Sequence, residues 1–143
     1  MNNLTPLNSE LITPHVVLDR YFRGRLVAFT VTDAKQLTID AWANTVGREM
    51  RNWPTHQPYL ALHDLSSPQI VVTPYARARA QELYAIRPEL QGRIAVVLPQ
   101  TFAAQLIQLF VKNQRQGNLV TEMFLDRQEA LAWLTRLIPS QDR

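Results

Sequence analysis

Short strand-like apolar runs and longer runs with helical spacing alternate through most of this chain, and that order limits the fold more than any other feature. Tyr59-Leu60-Ala61-Leu62 leads into Thr73 to Arg87, Arg93 to Leu98 into Thr101 to Gln116, and Leu119 to Leu125 into Asp126 to Leu137. Strands that alternate with helices pair through crossovers, so the pattern predicts a small α/β sandwich: a mostly parallel sheet with helices packed on it. A chain of 143 residues has the length of one domain. Such a domain buries about 68–70% of its unfolded surface and needs neither metal nor disulfide to fold.

The opening breaks the cadence. Pro14 to Phe22 and Arg25 to Thr32 are two β-rich runs around Arg23-Gly24, which predicts an antiparallel hairpin with glycine supplying the positive φ of its turn. Residues 1–14 read as a loose polar tail, 15–138 as a single domain and 139–143 as a C-terminal tail. A first helix is expected after Asp33 or Thr38. Ile39, Trp42, Val46, Met50 and Trp53 recur at intervals of three and four, and Pro54 stops the run. Gly47 inside it costs about 0.5–1 kcal/mol relative to alanine, which suits a place where another element or a partner comes close.

Thr73-Pro74 pairs an N-cap hydroxyl with proline at the first helical position, predicting a second helix from Pro74 to about Arg87. Thr101 is expected to cap a third helix and Gly117 to close it. Asp126-Arg127-Gln128-Glu129 has the spacing of a capping box before Ala130, Leu131, Leu134, Leu137 and Ile138, and Pro139 ends that run.

Several chemistries lack their residues. The chain has no cysteine, so disulfides, thiolate metal sites and a cysteine nucleophile are out. His15, His56 and His63 show no metal-ligand spacing, and the four glycines form neither a Gly-x-Gly-x-x-Gly turn nor a phosphate loop. No metal or cofactor is therefore expected. The net charge of +3 comes from fifteen basic and twelve acidic residues scattered along the chain, which describes a solvated surface and no nucleic-acid footprint. No apolar run approaches the ~20 residues of a membrane span. The first residues lack the basic and apolar regions of a secretory signal, and a cytoplasmic location is the expectation.

The candidate sites lie where the parallel strands end, since crevices in open α/β sheets form beyond the carboxyl ends of the strands. Asp64, Ser66, Ser67 and Thr73 occupy one such loop, with Tyr75, Arg79 and Glu82 on the helix after it. These residue types serve equally as caps and turns. His63 as base, Ser66 or Ser67 as nucleophile and Asp64 as orienter would make a hydrolase set, although neighbours in one short loop rarely meet that geometry. Phe102, Leu106, Leu109, Phe110 and Val111 form a wider apolar sector than one sheet face needs, which suits self-association or a pocket for an apolar ligand beneath the third helix.

Taken together, the opening hairpin, the strand-to-loop passage Leu60 to Ser67 and the ending Met123-Phe124-Leu125-Asp126-Arg127-Gln128-Glu129-Ala130-Leu131-Ala132-Trp133-Leu134 resemble the SpoIIAA-like proteins of the STAS-like fold. The resemblance implies a four- or five-stranded sheet flanked by about four helices, and a non-enzymatic regulatory module that binds a protein partner, with a homodimer expected. Asp64-Leu65-Ser66 matches the first half of the motif of STAS anti-sigma antagonists; the second half falls on Val72-Thr73-Pro74-Tyr75, which lacks its glycine. CRAL-TRIO lipid carriers share STAS-like topology, and by that analogy alone the alternative is a carrier of a lipid or small apolar molecule, with Phe102, Leu106 and Phe110 lining its pocket.

Overall fold

The computed structural model describes residues 4–100 and 113–143. Its elements run β1 (Asn8–Thr13), β2 (Val16–Tyr21), β3 (Leu26–Val31), α1 (Gln36–Asn52), β4 (Tyr59–Asp64), α2 (Pro74–Leu83), β5 (Gly92–Val97), β6 (Asn113–Gln116), β7 (Leu119–Phe124) and α3 (Arg127–Thr135). The seven strands make one sheet in the order β1-β2-β3-β4-β5-β7-β6. All six residues of β4 are buried, as a central strand covered on both faces requires.

Period-two alternation divides the core between the two faces. Phe29 and Val31 of β3, Tyr59 and Ala61 of β4 and Ile94 of β5 pack with Ile39, Trp42, Val46 and Met50 of α1, and Ala76, Ala80 and Leu83 of α2 join them. On the opposite face Leu26, Ala28, Leu60, Leu62, Ala95 and Val97 meet Ala130, Leu131 and Leu134 of α3. The helical stripe in α1 thus enters the core as its spacing predicts. Gly47 sits where α1 and α2 approach: a Cβ there would lie 3.2 Å from Ile86 Cδ1.

The α/β class and the hairpin of β2 and β3 agree with the sequence reading, but the sheet is mixed where a mostly parallel one of four or five strands is expected. β3-β4, β4-β5 and β5-β7 are parallel, whereas β1-β2, β2-β3 and β6-β7 are antiparallel. Two additions explain the difference. Part of the expected N-terminal tail is β1, an edge strand that is mostly exposed and so shows no apolar signature. Its cohesion comes from ladder bonds to β2 and from polar side chains such as Glu10, which pairs with Arg48 of α1 at 3.2 Å.

The second addition lies in the segment expected as helix from Thr101 to Gln116, whose last four residues are strand β6. Gln116 pairs with Leu119 across the two-residue turn Gly117-Asn118, with Gly117 at φ +59. Glycine at the first central position is the requirement of a type II′ hairpin turn, so this glycine joins strands and does not end a helix. Phe102, Leu106 and Phe110, and with them the expected pocket wall, lie outside the described residues. Three α-helices are present among the described residues, against about four expected.

Helix boundaries shift for local reasons. α2 ends at Leu83, four residues before the expected Arg87, because Tyr84, Ala85 and Ile86 each donate to the carbonyl three residues back and wind the chain more tightly. Asp126 accepts from Gln128 N at 3.2 Å and caps α3. The last residues also carry structure, for Ser140–Asp142 form a single turn and Asp142 pairs with Arg25 at 3.4 Å. Gly92 permits a close backbone approach to β4: a Cβ at this position would fall 1.9 Å from Tyr59 O. No helix among the described residues is long and apolar enough to cross a membrane.

Candidate functional site

The end of β4 separates the residues that sequence reasoning grouped. Adjacent strand residues point to opposite faces, so His63 enters the layer beneath α1 while Asp64 turns to the α3 face. Ser66 donates to Asp64 Oδ1 at 2.6 Å, and the Ser66 amide reaches the same oxygen at 3.0 Å. Base, nucleophile and orienter are thereby divided by the sheet, and the hydrolase set is not assembled.

The remaining loop residues mostly hold the chain in place. Ser67 donates to the Thr32 carbonyl at 3.1 Å, and Thr73 accepts from Ala76 N at 3.1 Å as the N-cap of α2. Tyr75 and Arg79, expected to present a free working face, are tied to α1. The Tyr75 hydroxyl donates to Asp40, and Arg79 donates to Asn44 Oδ1 at 3.0 Å and lies 3.3 Å from Asp40. Arg79 also donates to Glu82 within α2, at 2.6 Å. What the loop does expose is apolar: Val71 and Val72 are 62% and 52% accessible, and Leu37, one turn before Asp40 in α1, is 84% accessible.

A polar cluster not expected from the sequence lies on the α3 face. Arg127, in the first turn of α3, donates to Asp64 Oδ2 at 2.9 Å, Tyr21 OH at 3.1 Å, Thr30 Oγ1 at 3.2 Å and Asp19 Oδ2 at 3.4 Å. One guanidinium thus joins β2, β3, β4 and α3. At the same edge His15 Nδ1 lies 2.9 Å from Thr32 Oγ1 and 3.3 Å from Asp33 Oδ2, while the Thr38 side chain holds the Asp33 carboxyl below the usual range. These contacts join residues far apart in sequence, and no local spacing signals them.

The other face carries the strongest candidate for binding. A cavity of about 150 Å³ lies between the sheet and the helices, with Trp42, Met50, His63, Tyr84 and Ile94 in its wall. His63 is fixed on two sides: Trp42 Nε1 donates to its Nδ1 at 3.0 Å, and the Phe29 ring stacks on it with centroids 5.2 Å apart. The acceptor role of Nδ1 places the proton of the neutral ring on Nε2, which has no hydrogen bond among the described residues. Burial pushes the His63 pKa down to about 4. Tyr59 also lines the cavity, and its buried hydroxyl has no partner among the described residues. Burial pushes that hydroxyl's pKa upward as well.

Among the described residues no group of three or more His, Cys, Asp or Glu side chains is placed to hold a metal ion. Comparison with protein-family models, curated proteins and solved structures finds no match to this chain.

Two expected outcomes follow from this arrangement. Unfolded His63 takes up a proton near pH 6.5, while the buried ring resists protonation until about pH 4. Its contribution is therefore fully present above pH 6.5 and is lost as pH falls toward 4, on the order of 3 kcal/mol in all. Urea unfolding of His63→Gln at a series of pH values should show a correspondingly shallower acid loss than the wild type; parallel profiles would contradict the assignment. Arg127→Met leaves Asp64 and Asp19 without their cation, and should lower the unfolding free energy by about 3 kcal/mol. Adding Asp64→Asn should recover part of that loss, and simple additivity in the double-mutant cycle would show that the pair is not coupled.

Proposed function

We propose that this protein is a binding module of the SpoIIAA-like type, holding a small apolar molecule between its sheet and the layer formed by α1 and α2. The observation that carries this reading is the cavity of about 150 Å³, among whose lining residues is Tyr59, with a buried hydroxyl that has no partner among the described residues. A buried polar atom without a partner costs about 1–3 kcal/mol, and folded proteins seldom retain one without a use. The division of His63, Ser66 and Asp64 across the sheet supports binding over turnover by that set. Among the described residues the cavity wall is formed by β4, β5, β7, α1 and α2, while Phe102, Leu106 and Phe110 lie outside them.

Toluene tests the reading, being apolar and close in size to the cavity. Titration into methyl-labelled protein should produce saturable shifts at Met50 and Ile94, and Ala80→Phe, which adds bulk at a lining position, should abolish them. Unshifted methyl signals in the wild type would refute the cavity as a binding site.

A second reading retains the protein-binding surface, with a second copy of this chain as its occupant. It is favoured by the exposure of Val71, Val72 and Leu37, since apolar patches at a strand-end edge mark interaction surfaces. Sedimentation velocity over a concentration series should then reveal a dimer that Val72→Asp dissociates. A monomer at every concentration would remove this reading.

A further inference from the structure

We infer that β1 is an interface with a second copy of this chain, the two β1 strands pairing antiparallel about a two-fold axis at Ser9 so that the two sheets become continuous. The contact does not involve the cavity, and it uses a different element from the patch of Val71, Val72 and Leu37.

β1 stands first in the sheet order, so among the described residues only its β2 side is paired. The backbone N–H and C=O groups along the other side form a template for a further strand. Folded proteins commonly blunt such an edge with lysine, proline or an inward-pointing charge. Asn8–Thr13 contains neither lysine nor proline, and its one charge, Glu10, is drawn toward Arg48 of α1 at 3.2 Å. The register with β2 is irregular only between Leu11 and Thr13, which leaves Asn8–Leu11 as a regular edge.

The side chains of that edge suit a copy of themselves. Ser9 donates to Asp19, which also meets Arg127, so Ser9 belongs to the α3 face; Glu10 and Ile12 belong to the α1 face. By the same alternation Leu11 lies on the α3 face. α3 packs against β4, β5 and β7, and Leu11 is left 69% accessible, with Leu7 just ahead of the strand at 64%.

Charge and regularity select the register. Strands paired about an axis normal to the sheet oppose residues of the same face. An axis at Glu10 would set like charges against each other, and one at Leu11 would carry the pairing into the irregular end. An axis at Ser9 sets Leu11 opposite Leu7 of the second copy, on both sides of the axis, and covers the exposed leucines. It also sets Glu10 opposite Asn8 of the second copy, whose amide donates to a carboxylate.

Sedimentation velocity over a concentration series on the wild type, Leu11→Lys and Val72→Asp tests the contact. Leu11 is exposed, so its replacement leaves the packing of the monomer in place. The expected result is a wild-type dimer whose Kd rises at least about tenfold in Leu11→Lys, from the lost leucine burial, and is unchanged in Val72→Asp. The chain has no cysteine, so Ser9→Cys supplies one thiol per copy. Mild oxidation should join two copies of Ser9→Cys across the axis and should leave Asn8→Cys uncoupled. A monomer at every concentration would overturn the contact, as would a dimer that Val72→Asp dissociates and Leu11→Lys does not weaken. Cross-linking of Asn8→Cys in preference to Ser9→Cys would overturn the register.

Discussion

The alternation of side chains along β4 is the constraint on which the rest of the structure depends. β4 is buried along its whole length, so each of its residues is committed to one covered face or the other. Tyr59, Ala61 and His63 belong to the layer beneath α1 and α2, while Leu60, Leu62 and Asp64 belong to the layer beneath α3. Two adjacent residues, His63 and Asp64, therefore anchor separate polar arrangements on opposite sides of one sheet. A one-residue change of register would exchange the two sets and place Asp64 among the aromatic rings.

The two arrangements solve the cost of polar burial differently. On the α3 face, Arg127 meets two carboxylates and two hydroxyls, so the charges are compensated and four elements are fixed relative to one another. A cluster of that kind contributes geometry more than net stability, because desolvation offsets much of the Coulomb attraction. On the other face, His63 is kept neutral by burial and oriented by Trp42, leaving its second nitrogen and the Tyr59 hydroxyl among apolar surfaces. The first face is closed by its own bonds, and the second retains hydrogen-bonding capacity.

This difference separates structural polarity from polarity suited to a ligand. The loop after β4 looks richest in functional side chains, yet Ser66, Ser67 and Thr73 are used in turns and caps, and Tyr75 and Arg79 in fastening α2 to α1. Tyr59, by contrast, reads in the sequence as an ordinary strand residue. Its distinguishing property, a buried hydroxyl without a partner among the described residues, exists only once the helices cover the strand.

Periodicity in the sequence was enough to determine the α/β class, the β2-β3 hairpin, the buried stripe of α1 and the caps of α2 and α3, because each follows from residues within a few positions of one another. The edge strand β1 and the strand β6 were not legible, since an exposed edge needs no apolar pattern and a four-residue strand yields little periodicity. Only the tertiary structure decided the mixed character of the sheet, the joining of Asp19, Asp64 and Arg127, and the cavity beside Tyr59 and His63. Those features arise where segments distant along the chain meet, and their energies depend on burial and neighbours that no local stretch of sequence specifies.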